Sequence, residues 1–249
     1  MDIRLAEIAR NTARKASFQA VISGVGSSLK NSFQPPLIVE QGCTYEIALI
    51  NLETYYAFPN IEEGQNNELK VFYKKWYSIK IPTGSYELAS IDLEIQRQVL
   101  ELTAKKDLIR LTPNRNTFKC IMTLDKGVQV DFNQISSISS VLGFEKKIYK
   151  GPRNESEKVV NIMRVNSILV HCNLIESSYL NGIQKPVLYG FFPATEPGTK
   201  IIERPPNPIY LPVSLDQISV IDVWLTDQDG TALNLPGETL TIKIHIRTC

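Results

Sequence analysis

The stretch Val223–Ile246, VWLTDQDGTALNLPGETLTIKIHI, decides the fold class. On either side of its centre, apolar residues recur at every second position: Ile221, Val223 and Leu225, then Leu240, Ile242, Ile244 and Ile246. A period of two marks a strand with one buried face. The stretch therefore reads as a closing antiparallel hairpin, with Thr239, Thr241, Lys243, His245 and Arg247 turned outward. Its centre, Asp227-Gln228-Asp229-Gly230, admits two readings. Asp227, Asp229 and Glu238 occupy the first, third and twelfth positions of a calcium loop, but the glycine comes two positions early and both flanks are strands instead of helices. These three acids are weak calcium candidates. A tight β connection also requires Asp and Gly, because Gly supplies positive φ and Asp caps its own backbone.

Upstream, strand patterns continue. Val165–Gly182, VNSILVHCNLIESSYLNG, places Ile168, Val170, Cys172 and Leu174 on one face and Leu169, His171 and Asn173 on the other; Asn181-Gly182 is a turn signal. Pro205, Pro206, Pro208 and Pro212 confine their segment to a sheet edge or a loop. In Tyr45–Leu52, apolar residues fall on both faces, which predicts a strand covered on both sides. Ile91, Ile95, Val99 and Leu102 recur at helical spacing, the one convincing helix of the centre, and Gly143 reads as the C-cap of a short helical turn at Ser136–Phe144. Lys146, Lys147, Lys150 and Arg153 form a basic loop that Glu145, Glu155 and Glu157 largely neutralise. Many strands and few helices predict an all-β antiparallel sandwich.

Composition narrows function by exclusion. Twenty-seven Lys+Arg against 26 Asp+Glu leave a net charge of +1, without the basic excess of a dedicated nucleic-acid binder. No apolar run reaches the roughly 18 residues of a membrane span, and the first residues show no secretory signal, so a soluble intracellular chain is expected. Cys43, Cys120, Cys172 and Cys249 are widely spaced, and His171 and His245 sit in no zinc or nucleophile motif. No cofactor is expected. An enzyme pairing one of these thiols with a histidine, and a carbohydrate- or receptor-binding sandwich stacking ligands on Trp76, Tyr77 or Trp224, are the rival readings. Tyr55, Tyr56, Phe58, Phe191, Phe192 and Trp224 are the candidate subunit contacts, since aromatics are enriched in interfaces.

Five segments then occur in a telling order: YEIALINLETYYAFPNI (45–61), IPTGSYELASIDLEIQRQ (81–98), ISSVLGFEKKIY (138–149), VNSILVHCNLIESSYLNG (165–182) and PIYLPVSLDQISVIDVWLTDQDG (208–230). Together they resemble the minor capsid (penton) proteins of Polinton/Maverick virus-like transposons. The resemblance implies a single jelly-roll antiparallel β-sandwich with short inserted helices over residues 34–249. It implies a homopentamer at the fivefold vertices of an icosahedral capsid, beside trimers of a double-jelly-roll major capsid protein, and hence a virion location after intracellular assembly. It carries no catalytic residues. Residues 1–33, with Ile3, Leu5 and Ile8 among Arg4, Arg10, Arg14 and Lys15 and a strand-like stretch at Phe18–Val25, read as an N-terminal arm for genome, inner shell or a neighbouring subunit. A double roll, with residues 34–145 and 160–249 each forming one, is the structural alternative.

Overall fold

The computed structural model describes residues 17–38, 44–213 and 217–248. Three strands come first: β1 (Ser17–Val25), β2 (Ser28–Ile38) and β3 (Tyr45–Tyr55). A middle section follows, with β4 (Glu68–Tyr73), β5 (Lys75–Lys80), helix α1 (Leu88–Thr103), β6 (Ile109–Asn114), β7 (Lys119–Leu124), β8 (Gln129–Asp131), helix α2 (Ser139–Leu142), β9 (Ile148–Lys150) and β10 (Arg153–Val159). The last section holds β11 (Ile168–Cys172), β12 (Tyr179–Leu180), β13 (Ile183–Gln184), β14 (Val187–Phe191), β15 (Lys200–Glu203), β16 (Leu211–Val213), β17 (Gln217–Thr226) and β18 (Thr239–Thr248). Residues Phe58–Arg164 form one compact unit, and the described residues on either side of them form another.

The flanking unit is the jelly roll. One sheet runs β1-β18-β3-β15, with β16 pairing further along the same edge of β3, and the other runs β14-β11-β17-β2. Counting β15 and β16 as one interrupted strand, this is two four-stranded antiparallel sheets between which the chain repeatedly crosses. The prolines explain the interruption. β15 pairs with Leu52–Tyr55, β16 pairs with Tyr45–Ile47, and the segment carrying Pro205, Pro206 and Pro208 leaves the ladder between them. A residue without an N–H fits only at such an edge.

The closing stretch is not a hairpin. β17 pairs with β11 and β2, whereas β18 pairs with β1 and β3. The connection between them crosses from one sheet to the other. Ile221, Val223 and Leu225 and then Leu240, Ile242, Ile244 and Ile246 are all buried as expected, but they line opposite inner faces of the sandwich. Alternation records which face is buried and is silent about which strand supplies the hydrogen bonds. A parallel crossing lies beside it: Gly26, at φ +97°, and Ser27 carry β1 into β2. The Gly26 N–H donates to the Glu238 carbonyl (2.9 Å) and the Leu225 N–H to the Ser27 carbonyl (2.9 Å), tying the two corners together. Ser17–Ile38 thus belongs to the sheets, and the expected arm boundary at residue 33 falls inside β2. Residues 1–16 lie outside the described residues.

The two-sided pattern of β3 has two causes. Its register against β18 steps from Asn51↔Lys243 to Leu49↔Ile244, leaving Ile50 as the extra residue of a β-bulge. The bulge switches the inward parity from Tyr45, Ile47 and Leu49 to Leu52 and Thr54, so apolar residues that look two-faced in sequence serve a single core. On the outer face, Ala48 is fully buried because Tyr210, just before β16, lies alongside it and reaches His245 of β18. The Tyr210 hydroxyl bonds His245 Nδ1 (2.6 Å), the Arg247 guanidinium lies 3.5 Å from the Tyr210 ring centroid, and Arg247 pairs with Glu46 (2.9 Å). The second cover is the chain's own.

The inserted unit is more than a helix. It has a β10-β7-β6 sheet, a β5-β4-β8-β9 sheet and one core in which Phe132 stacks on Phe144 (5.4 Å) and meets Tyr149 edge-on (5.7 Å). Because one roll is built from residues on both sides of 58–164, two successive rolls are not formed. Helix α1 buries Ile91, Ile95 and Val99 as its spacing predicts, but Leu102 in the last turn is 46% exposed. Gly143 is the C-cap of α2, at φ +80°, its N–H donating to the Ser139 carbonyl.

Asp92 fastens α1 to the open edge of β6. Its buried carboxylate accepts the Leu111 N–H (2.6 Å) and a bond from Gln96. Burial pushes this carboxyl up, and the Leu111 N–H and Arg110 only partly offset it. Asp92→Ala leaves the Leu111 donor without a partner and is expected to cost about 2–3 kcal/mol in a denaturant titration. Asp92→Asn, which keeps an acceptor, should recover at least half of that loss.

In the expected basic loop, Lys147 is the residue held in ion pairs. Lys147 bonds Glu157 (2.6 Å) and Glu145 (3.2 Å), and the Tyr149 hydroxyl also donates to Glu157. Burial alone would raise the Glu157 carboxyl, but Lys147, Tyr149 and the Glu145 N–H outweigh it and hold it at about 2. A folded pKa below the unfolded one gives stability that is complete above about 4.5 and lost as pH falls toward 2. After solvent screening this amounts to on the order of 1 kcal/mol. The stability difference between wild type and Glu157→Gln should therefore shrink across that window.

Candidate interaction site

The structure scatters the six aromatic candidates across different environments. Tyr56, Phe58 and Phe191 are buried inside the chain and serve its own packing. Tyr55 at the end of β3 and Phe192 just after β14 are exposed, at 43% and 54%. Trp224 is half-buried on the outer face of β17, as its alternation predicts, with its ring parallel to that of His171 (centroids 5.2 Å apart).

The exposed pair has a third member that the sequence reading missed. Ile202 is 51% exposed on β15, opposite Glu53 and two residue pairs along from the Tyr55–Lys200 pair. Phe192 and Ile202 line one shallow depression of about 280 Å³. The signal was present in Lys200-Ile201-Ile202-Glu203: two adjacent isoleucines in a strand cannot both face a core. Ile201, 4% exposed, takes the inward place.

At the other end of the same sheet, β1 presents Val21 (56% exposed) and Val25 (67%). Its sequence, SFQAVISGV, has no charge and no proline. Edge strands are ordinarily guarded by one or the other. The β15–β16 edge has Lys200, Glu203 and prolines, and β2 has Lys30, Pro35 and Pro36. One sheet thus carries two different apolar patches on opposite edges.

Among the described residues, no thiol and histidine are placed to act as a catalytic pair. Cys120 and Cys172 are fully buried, and burial pushes their thiols up to about 12 and about 11. His171 and Cys172 point to opposite faces of β11, and His171 Nε2 bonds Thr226 (2.9 Å). Both ring nitrogens of His245 are taken, by Ser17 (2.6 Å) and Tyr210. Cys43 and Cys249 lie outside the described residues. Trp76 is 42% exposed but packs edge-on against Phe72 (5.3 Å), and Lys75 lies over the Tyr77 ring.

The acidic loop works as turn chemistry. Asp227 Oδ1 accepts the Asp229 and Thr231 N–H groups (3.0 and 2.8 Å), while Asp229 accepts from Gln228. Among the described residues no three His, Cys, Asp or Glu side chains converge on a metal position, so Asp227, Asp229 and Glu238 are not brought together. No described helix is long and apolar enough to cross a membrane.

No protein-family model matches the chain, and no curated protein matches it either. Among solved structures, the chain is similar to the crystal structure of the selenomethionine-labelled mavirus penton protein, at 10% identity and a TM-score of 0.50 over 94% of this chain and 100% of that one. In fold, the chain is similar to a penton protein. Coverage this complete takes in the inserted unit as well as the jelly roll, so the penton protein parallels both. At this identity the likeness concerns fold, and the partners of the mavirus protein are not transferred by it.

Proposed function

We propose that this chain is a penton-type minor capsid subunit: a structural virion protein that forms homopentamers at fivefold vertices, beside a double-jelly-roll major capsid protein. The observation that carries the reading is the fold likeness to the mavirus penton protein along essentially the whole chain. The surfaces support it. A closed ring is built from heterologous contacts, one patch meeting a different patch on the next subunit. The edge at Val21 and Val25 and the edge at Tyr55 and Ile202 are two such patches on one sheet, with Phe192 joining the second from the end of β14 in the other sheet. A structural role also fits the buried thiols of the described residues and the two bonded ring nitrogens of His245.

Native mass spectrometry and negative-stain imaging of the purified chain test this reading. A five-subunit mass and fivefold rings are expected. Val21→Lys or Ile202→Glu alone should yield monomers with an unchanged melting temperature, because both side chains are exposed. A chain that stays monomeric at high concentration, and does not enter shells formed with a double-jelly-roll partner, overturns it.

A further inference from the structure

The outer face of the β14-β11-β17-β2 sheet carries a cavity that the assembly reading does not use. It has a volume of about 290 Å³, close to the lower end of the roughly 300–1,000 Å³ typical of small-ligand pockets. His171 and Trp224 of the sheet line it, together with Leu180 and Ile183 of the β12–β13 hairpin, Lys185 and Asp229. The hairpin is held in place by its Asn181-Gly182 turn, both residues at positive φ as a two-residue type I′ connection requires.

His171 is the unusual member. It is 3% exposed, and its Nδ1 has no hydrogen-bond partner. The tautomer follows from its neighbours. The Thr226 hydroxyl donates to the Asp227 carbonyl (3.0 Å), so toward His171 Nε2 (2.9 Å) it can only accept. The ring proton therefore sits on Nε2, and Nδ1 is left as a bare acceptor. A buried acceptor without a donor is costly, and native structures seldom retain one without a use.

We propose that this cavity binds one neutral pyranose unit of a glycan. The lining asks for a ligand with three properties at once. Nδ1 of His171 lacks a donor, while the exposed Asp229 carboxylate can accept a hydroxyl beside its bond from Gln228 and the exposed Lys185 ammonium can donate to an oxygen. Trp224, Leu180 and Ile183 need a C–H surface of ring size. A sugar ring combines hydroxyls that both donate and accept with an apolar face that packs on aromatics. The balance of one carboxylate against one ammonium favours a neutral ring over an acidic one. The His171 ring lies parallel to the Trp224 indole, with centroids 5.2 Å apart, and supports one side of it.

The chain has two tryptophans, Trp76 and Trp224. In the full-length Trp76→Phe variant, indole emission reports Trp224 alone, and titration with neutral hexoses, N-acetylhexosamines and sialic acid reads the site directly. A saturable emission change with a neutral sugar is expected. Asp229→Ala, in an exposed loop, should weaken it at least tenfold with the melting temperature unchanged, and His171→Phe, which keeps the ring stack but removes Nδ1, should do the same. A folded Trp76→Phe protein that responds to no sugar overturns the proposal. So does a response only to sialic acid, or one that Asp229→Ala leaves intact. None of these outcomes depends on oligomeric state, so the pentamer reading and this one fail separately.

Discussion

Deletion of residues 1–33 is expected to abolish cooperative folding of the jelly roll. Only an N-terminal arm outside the sheets would tolerate the loss. The structure places β1 along β18 in a continuous nine-pair antiparallel register from Ser17↔Arg247 to Val25↔Thr239, and β2 along β17. The deletion strips one side of β18, opens the inner face beside Leu240, Ile242 and Ile244, and removes buried Ala20, Ile22 and Leu29. Truncating one buried Ile or Leu to Ala costs about 2–5 kcal/mol, and total stability is usually about 5–15 kcal/mol, so losing a whole strand exceeds what the unit can absorb. Circular dichroism melts and limited proteolysis of the truncated chain provide the measurement. A sharp transition at the wild-type temperature would show that the strand is an accessory after all.

The second large effect is expected at Gly143. A Cβ there would lie 2.2 Å from the Lys158 carbonyl oxygen and 2.8 Å from that of Val159, both backbone atoms of β10. The Lys158 N–H also donates to the Gly143 carbonyl (2.9 Å), so the two segments cannot separate without losing that bond. The left-handed conformation alone penalises an L residue by roughly 1–2 kcal/mol. With the clash added, Gly143→Ala should cost more than about 3 kcal/mol and lower the transition by roughly 10 °C or more. Gly127→Ala is the control: its φ is +81° but nothing lies within 4 Å of the added carbon, so only the conformational penalty should appear. Equal losses at the two positions would refute the close-approach explanation.

The candidate site was partly legible in the sequence. Tyr55, Phe192 and Trp224 could be nominated as outward aromatics, but Tyr56, Phe58 and Phe191 could not be told from them, since each stands beside another aromatic or a proline. Exposure of an aromatic at a strand end depends on which segment covers it, and here the covering chain comes from distant sequence. The same holds for His171. Its alternation placed it on the outer face of β11, yet its burial comes from the β12–β13 hairpin and Lys185-Pro186, and its bare Nδ1 from Thr226 on another strand.

What the sequence by itself determined is local. The inward sets Ile221/Val223/Leu225 and Leu240/Ile242/Ile244/Ile246, the apolar face of α1 through Val99, the Gly143 cap and the edge position of the proline segment all follow from periods of 2 and 3.6 and from backbone chemistry. These are set by each residue and its neighbours along the chain. What only the tertiary structure decided is which strand meets which: β17 and β18 in opposite sheets, the parity switch at Ile50, the closure of residues 58–164 into their own unit, and the pairing of β1 along β18. An alternating strand is compatible with many partners. The choice among them is made by closing the two sheets over one core, a long-range condition that no local pattern encodes.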